Sequence, residues 1–249
     1  MRIDKRTCTQ LRSLSAISGL LSHSDGSAQT AFGGSKATCA ITGPAQITHR
    51  DEHQTAKITV RIHKCARSTN EINTLDALLE KVLAETAIQT IAIHHYPRTL
   101  FTINITILND DGAILAVCLN SMMAALVDAG VLMRFSYCAV SLLVNVDGNI
   151  MLDGTKMEQG GAKSVHTLAF KSNLPRINDS DIEGSSVTAL ASSNPVTADS
   201  VNCVCVQSNG SFTIQELNSI FDLAQIACVT ISAFFNSAIQ RKSKRLESI

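Results

Sequence analysis

The stretch from Phe101 to Gly130 constrains the fold more than any other part of this chain. Apolar and polar residues alternate from Phe101 to Ile107, which predicts a half-buried strand. The alternation stops at Asp111-Gly112, and apolar residues at helical spacing then continue to Gly130, a residue typical of a helix C-terminus. A strand that turns through glycine into a helix directs free backbone N–H groups and the positive helix end to one point. The pattern therefore predicts an anion-binding geometry.

The side chains that would complete a phosphate site are absent from this turn. Gly112 is followed by Ala113, Ile114 and Leu115, none of which carries a hydroxyl or a guanidinium group. Backbone N–H groups alone would hold an anion weakly, and an ordinary glycine turn into a helix is the alternative interpretation. The sequence thus predicts the shape of a phosphate pocket without its side-chain chemistry.

Composition and charge exclude several classes of protein. The 249 residues suffice for one large domain or two small ones, and charged residues make up only 17% against about 25% in typical domains. Large subunit interfaces and a surface rich in Ser, Thr and Asn both explain this low charge. The formal net charge is zero, whereas a stand-alone nucleic-acid binder normally has a basic excess. Any nucleic-acid contact must therefore come from a local patch or from neighbouring subunits.

The cysteines and the apolar runs predict an intracellular, soluble protein. The eight cysteines form no C-x-x-C pair and mostly lie in apolar runs, so they are interpreted as small buried hydrophobic residues in a reducing compartment rather than as zinc ligands. The N-terminal residues lack the apolar core of a signal peptide. No stretch approaches the roughly 20 apolar residues that span a bilayer.

The periodicity predicts an α+β domain in which helices pack on a mixed sheet. Residues 1–24 are predicted to be polar and turn-like, and 171–199 to be a long exposed insertion. The whole of 1–249 is predicted to be a single domain that ends in a basic tail, 241–249. Strands are expected at 27–32, 36–42, 56–62, 101–107, 136–146, 149–152, 164–170 and 200–207, and long helices at 69–91, 113–130 and 213–240.

Short motifs in a fixed order resemble those of RNase PH-fold proteins. They are Gln10–Leu14, Ser24–Ala28, Thr42–Pro44, Tyr96–Arg98, Asp111-Gly112 and Ala124–Gly130. Within that family the chain is most similar to ring subunits of the eukaryotic RNA exosome, of the exosome component 5 type. The segments that carry this closer similarity are Pro97–Thr99, Leu115–Asn120, Leu126–Arg134 and Leu152–Thr155.

The resemblance implies a fold, partners and a location. The fold is the RNase PH fold (ribosomal protein S5 domain 2-like), with mixed sheets packed against helices. The partners are five other RNase PH-like subunits in a six-membered ring around a channel for single-stranded RNA, S1/KH cap proteins and exosome-associated nucleases. The implied location is the nucleus, the nucleolus and the cytoplasm. No cofactor, metal or membrane is implied.

The resemblance also identifies which catalytic groups to look for. The phosphate turn of active relatives falls at Gly112 and Ala113, and their acidic pair falls at Gln159 and Val165, where no carboxylate stands. Asp153 matches a structural aspartate, and Glu158 becomes the acid only if the alignment has a local gap. No catalytic residue is therefore predicted.

Four basic residues are predicted to contact RNA: Arg61, Lys64, Arg67 and Arg98. A solvated strand end is the alternative for the first three, and contact with a neighbouring subunit is the alternative for Arg98. His94-His95 is predicted to lie on a strand with the two rings on opposite faces, which disfavours a metal site.

The favoured hypothesis is a non-catalytic ring subunit that supports 3′-to-5′ RNA processing and decay by closing the ring and lining the RNA channel. The alternative is a homodimeric phosphorolytic or metal-dependent nuclease that acts outside the ring through Asp153 or Glu158.

Overall fold

The computed structural model describes residue 2 and residues 6–46, 55–65, 74–172 and 203–247. Within these ranges the chain forms two sheets and four α-helices. In chain order the elements are β1 (Leu14–Ser18), β2 (Gly26–Phe32), β3 (Ser35–Gln46), β4 (Lys57–Lys64), α1 (Thr74–Thr90), β5 (Thr99–Asn109), α2 (Ile114–Asp128), β6 (Ser136–Asn145), β7 (Ile150–Leu152), α3 (Lys156–Gly160), β8 (Ala162–Ser172), β9 (Cys203–Gly210) and α4 (Ile214–Glu247). A short 3₁₀ turn, Ile93–His95, precedes β5. The predicted α+β class is confirmed.

The first sheet has the strand order β1-β2-β3-β5-β4. Its strands run antiparallel except for β4, which pairs with β5 in parallel because α1 returns the chain between them. The predicted alternation in β5 is confirmed: Phe101, Ile103 and Ile105 are fully buried, while the polar residues between them face outward. The outer face of this sheet is therefore polar.

The second sheet has the order β7-β6-β8-β9 and is antiparallel throughout. All residues of β6 from Ser136 to Val144 are buried, so this strand is covered on both faces. Helix α2 packs against β2 and β3 of the first sheet and against β6 of the second. Asn120 of α2 donates to the Ala139 carbonyl at 2.7 Å and accepts from the Ala139 N–H at 2.9 Å, which fixes the helix to β6.

Several predicted boundaries differ from the structure by a few residues, and four differences concern the type or course of an element. Strand β1 lies within residues 1–24, which were predicted to be turn-like, because its alternation is weak over five residues. Strand β3 continues past Gly43-Pro44 through an irregularity in its pairing with β5. His94-His95 lies in the 3₁₀ turn rather than on a strand. A short helix, α3, was missed; its Thr155-x-x-Glu158 capping box was the available signal.

The bounds of the predicted insertion and of the predicted tail also differ from the structure. Strand β8 extends through Ser172, so it includes the first two residues of the predicted 171–199 insertion, and the rest of that insertion lies outside the described residues. Helix α4 continues to Glu247, so most of the predicted basic tail, 241–249, is helical.

Helix α4 is a longer apolar segment than was predicted from the sequence. From Ile214 to Arg241 it is long and apolar enough to cross a membrane by length and composition alone. The core helix of a water-soluble domain meets the same criterion, and the inner face of α4 packs against β6 and β8 through Ile220, Ala224 and Ile231. Ile226 and Val229 stand on its exposed side, 67% and 61% exposed.

Candidate functional site

The turn between β5 and α2 is closed by backbone from another part of the chain. Gly112 has φ of +84°, and a Cβ atom there would lie 2.7 Å from Gly154 O, from Lys156 N and from the Thr155 carbonyl carbon. The Lys156 N–H also donates to the Asp111 carbonyl at 3.1 Å. Only glycine fits this conformation and this close approach. The N-terminal end of α3 therefore fills the space directly beside the turn.

The polar groups of the turn are largely used within the protein. The Gly112 N–H donates to Asp110 Oδ1 at 3.2 Å, and the Gly112 carbonyl accepts from Ser35 Oγ at 2.5 Å. Ala113 adopts a left-handed conformation as the N-cap of α2, and its methyl group cannot accept a hydrogen bond from the helix. Asp110 Oδ2 also accepts from Lys156 Nζ at 3.0 Å, so this carboxylate and this cation are paired beside the turn. That Gly112 and Ala113 form a degenerate phosphate turn stays a prediction.

Asp153 is buried and bound by Arg12. The Arg12 Nε and Nη2 atoms donate to Asp153 Oδ2 at 2.9 Å and Oδ1 at 2.6 Å, and the Arg12 N–H donates to Oδ2 at 3.1 Å. Asp153 is 1% exposed and has φ of +50°. The same guanidinium donates to the Asp111 carbonyl at 2.9 Å. Asp153 thus fastens the N-terminal segment to the Gly112 turn, in agreement with the structural role implied by the resemblance.

Glu158 is held in a similar way by two partners. Its Oε2 atom accepts from the Thr155 N–H at 2.9 Å, and Thr155 Oγ1 accepts from the Glu158 N–H at 3.4 Å, which completes the capping box of α3. Arg2 Nε donates to Glu158 Oε1 at 3.0 Å, and the two side chains are 3% and 10% exposed. Both carboxylates that remain near the candidate acid positions are therefore engaged in stabilising the fold.

Sequence reasoning missed Arg2, Arg6 and Arg12, which supply the cations of this region. Arg6 Nη2 donates to the Asp153 carbonyl at 3.3 Å, beside the contacts of the other two arginines. The available signal was three arginines within the first twelve residues of a chain with few charges. Their partners lie more than 140 positions away in the sequence, with separations of 156 residues for Arg2–Glu158 and 141 for Arg12–Asp153.

The structure places the four predicted RNA contacts in different environments. Arg61 is exposed on the outer face of β4, whereas Lys64 faces α1 and forms an ion pair with Asp76. Arg98 is exposed just before β5, with φ of +57°. Arg67 lies outside the described residues. The prediction that each of them contacts RNA stays a prediction.

Arg98 and Lys64 lie at opposite ends of the first sheet. The register places Lys64 beside Ile107, and Arg98 precedes Thr99, the first residue of β5. At about 3.3 Å per residue, the eight steps from Thr99 to Ile107 cover roughly 26 Å. The two cations therefore do not belong to one cluster.

Buried thiols and one buried histidine serve the core. Burial raises the pKa of Cys118 and of Cys138 to about 12, which keeps both thiols protonated and unreactive. His166 is buried between Ser164 and Ser208, whose hydroxyl groups lie 2.9 Å from its two ring nitrogens. Among the described residues, no group of three or more His, Cys, Asp or Glu side chains is arranged to hold a metal ion.

Comparison with known proteins identifies the class to which this fold belongs. Residues 10–131 match the 3′ exoribonuclease family, domain 1 (RNase PH). The chain is 27% identical over 244 residues to a protein of Arabidopsis thaliana named exosome complex exonuclease RRP46 homolog, with 98% of both chains covered. It is 28% identical to the exosome complex component RRP46 of Saccharomyces cerevisiae, over 92% of this chain and 96% of that relative.

Solved structures show the same fold at lower sequence identity. Rice Rrp46 has a TM-score of 0.80 and 24% identity, covering 96% of this chain and all of that one. An Archaeoglobus fulgidus exosome structure with RNA bound to the active site has a TM-score of 0.71 and 14% identity, covering 94% of this chain and 92% of that one. Residues 10–131 are therefore similar to domain 1 of the RNase PH family, and the described fold is that of the rice Rrp46 structure. Its predicted resemblance to RNase PH-like exosome components is confirmed.

Proposed function

We propose that this chain is a non-catalytic ring subunit of an RNA exosome core that supports 3′-to-5′ RNA processing and decay. Its similarity to two relatives, one named an exosome complex exonuclease homolog and one an exosome complex component, runs over nearly the full length of both chains, which supports a place in the same complex. In this role it joins five other RNase PH-like subunits and contributes one segment of the channel wall. The similarity supports this ring role rather than the predicted homodimeric nuclease.

The observation that carries the non-catalytic part of the proposal is the occupation of both remaining carboxylates. General acid catalysis needs a carboxyl group within hydrogen-bond reach of the substrate. Arg12 binds both oxygens of Asp153 inside the protein, and Glu158 is bound by Arg2 and by the start of α3. Gln159 and Val165, at the positions of the acidic pair, supply no carboxylate. A phosphorolytic or metal-dependent reaction would lack its acid and its ligands.

Assembly is tested by purifying the full chain with five candidate RNase PH-like partners and measuring the complex by native mass spectrometry. We expect one copy of this chain in a six-subunit ring. We also expect co-expression to raise its solubility and thermal midpoint, because partners bind only the folded state. A stable homodimer that does not exchange with the partners would overturn the ring assignment.

Activity is tested by incubating the purified chain with labelled single-stranded RNA and inorganic phosphate, and separately with Mg²⁺ or Mn²⁺. We expect no shortening of the RNA in either reaction. The control is Glu158→Gln, which keeps an acceptor for the capping box and removes the carboxylate. Shortening by the parent that disappears in a folded Glu158→Gln variant would show that Glu158 is an acid and would refute the non-catalytic role.

The proposal extends to docking and location. S1/KH cap proteins and exosome-associated nucleases would bind the assembled ring, and the complex would work in the nucleus, the nucleolus and the cytoplasm. Pull-down of the tagged ring subunit and imaging of a fluorescent fusion test these two points. Recovery of the chain without any ring partner would contradict the docking proposal. Absence of the fusion from the nucleus and the nucleolus would contradict the proposed location.

A further inference from the structure

We infer that the outer face of the first sheet binds the phosphate backbone of single-stranded RNA, at a surface separate from the Gly112 turn. We call this surface the polar sheet face and define it by Lys36 of β3, by Lys57, Arg61 and His63 of β4, and by Thr102 and Asn104 of β5. The inference rests on the proposed function and deepens it, because it assigns the RNA contact predicted for Arg61 to a defined surface of the subunit.

The first observation is the charge of this sheet. Strands β1 to β5 contain no Asp or Glu at any position, although they span the whole sheet. Lys36, Lys57, Arg61 and His63 are all exposed, and no hydrogen bond or ion pair joins their side chains to other described residues. The positive charge on this face is therefore not neutralised by the described part of the protein.

The second observation explains why the cations stay free. Among the described residues, two carboxylates contact β4, and both come from α1. Asp76 pairs with Lys64, and Glu80 Oε1 accepts from the Ile62 N–H at 2.8 Å on the edge of the strand. Helix α1 therefore pairs with Lys64 on the inner face of β4 and accepts one backbone hydrogen bond from the edge of the strand. Arg61 and its outward neighbours are left to solvent.

The third observation is the arrangement of the cations. Lys57, Arg61 and His63 are separated by even numbers of residues on one strand, so their side chains share a face and span about 20 Å. Arg61 lies beside Asn104, and Thr59 lies beside Thr102. Lys36 stands two strands away beside Asn109, at the end of the face nearest the Gly112 turn, so it lies roughly 14 Å from His63 and roughly 19 Å from Arg61. Cations spread in this way, with hydroxyl and amide groups between them, match a chain of phosphates.

The same face argues against a protein partner. Protein interfaces owe most of their affinity to buried aromatic or apolar anchors at the centre. The centre of the polar sheet face consists of Thr102 and Asn104, because the aromatic residues of these strands point into the core, and the partly exposed Leu108 lies at the end of the sheet rather than at this centre. Without aromatic platforms, bases are not stacked, so contact with RNA is expected to be independent of sequence.

The test measures the binding of fluorescent oligouridine to the full-length chain by anisotropy over a range of salt concentrations. Lys57→Glu with Arg61→Glu should weaken binding at low salt by about tenfold or more and lower the salt slope by roughly 1.4, since each lost phosphate contact removes about 0.7. The neutral pair Lys57→Gln with Arg61→Gln should lower the slope by the same amount, because the slope counts contacts.

The matched control reverses two exposed cations elsewhere, Lys81 on α1 and Arg134 after α2, by Lys81→Glu with Arg134→Glu. It changes net charge equally and should bind RNA like the parent. Equal affinity and slope in both reversed variants would overturn the inference. So would equal competition by poly-glutamate, which carries charge but no phosphate. Native mass spectrometry of the ring with either variant separates this outcome from a failure of assembly.

Discussion

The Gly112 turn and the polar sheet face both carry charged side chains, but those beside the turn are paired within the protein and those on the sheet face are exposed to solvent. At the turn, Arg12 and Asp153 satisfy each other inside the protein, as Arg2 and Glu158 do. On the sheet face, Lys57 and Arg61 have no partner among the described residues, and no strand of that sheet carries a carboxylate. Charges that neutralise one another stabilise a fold, whereas unpaired exposed charges remain free to bind a ligand. The comparison teaches that, in this protein, the charges beside the Gly112 turn stabilise the fold, whereas the cations of the polar sheet face are exposed to ligands.

The largest effect should come from breaking the buried ion pair. Arg12→Ala leaves Asp153 buried without its guanidinium, and loss of one partner from a buried pair costs about 3–5 kcal/mol. The free energy of unfolding in urea measures this loss. Arg134→Ala, at an exposed arginine, is the control and should change it by less than about 0.5 kcal/mol. Similar values for the two variants would mean that the turn is no more dependent on its charges than the surface is.

A smaller loss of unfolding free energy should follow from adding a methyl group at the Gly112 turn. Gly112→Ala combines the strain of a positive φ with overlap against the backbone of residues 154–156, so we expect about 2–5 kcal/mol. Gly130 also has a positive φ, but a Cβ there meets no atom within 4 Å. Gly130→Ala should therefore cost only about 1–2 kcal/mol. Equal costs in urea unfolding would show that close packing does not limit the Gly112 turn.

A pH-dependent effect is expected at His166, which is buried, packs against the Phe212 ring and has neutral serine hydroxyl groups beside both ring nitrogens. Burial lowers the pKa of His166, an effect that the nearby Glu216 carboxylate partly opposes. The unfolded chain therefore takes up this proton before the folded protein does, and stability is lost as pH falls below about 6.5.

His166 should contribute no more than about 1.4 kcal/mol per pH unit to the slope of the unfolding free energy against pH, which is the value for one proton. Urea unfolding between pH 7.5 and 5 should show a weaker pH dependence in His166→Gln than in the parent. The exposed His94→Gln substitution should leave that dependence unchanged. If the two substitutions behave alike, His166 does not titrate in the way its burial implies.

The smallest effect on stability should come from the polar sheet face. Lys57→Ala with Arg61→Ala should change the free energy of unfolding by less than about 0.5 kcal/mol, because these side chains have no internal partner to lose. The measurement is again urea unfolding, made on the same preparations as the RNA titrations. A loss above about 2 kcal/mol would mean that these cations support the fold, and the contrast between the two regions would disappear.

Local patterns predicted most of the elements for a clear reason. The alternation from Phe101 to Ile107 and the helical spacing that follows report directly on which side of each element is buried. Strand β1 escaped prediction because its five residues are only half-buried, and α3 because it has only five residues. The end of β3 was misplaced because Gly43-Pro44 normally stops a strand, whereas here the pairing with β5 resumes beyond it.

The candidate site was less predictable than the fold. The sequence correctly located the turn and showed that Ala113 offers no donor, since that depends on residue type alone. It grouped Arg61 and Lys64 as one basic stretch. The structure puts them on opposite faces of β4, because their separation of three residues is odd and side chains alternate along a strand.

The sequence by itself determined the class of fold, the missing hydroxyls after Gly112 and the absence of carboxylates at residues 159 and 165, because these depend on local period and residue identity. Only the tertiary structure decided that Arg12 binds Asp153, that Arg2 binds Glu158 and that the cations of β4 divide between helix α1 and solvent. The physical reason is that an ion pair depends on which side chains meet in space. In this chain the two ion pairs beside the turn join residues that are 156 and 141 positions apart.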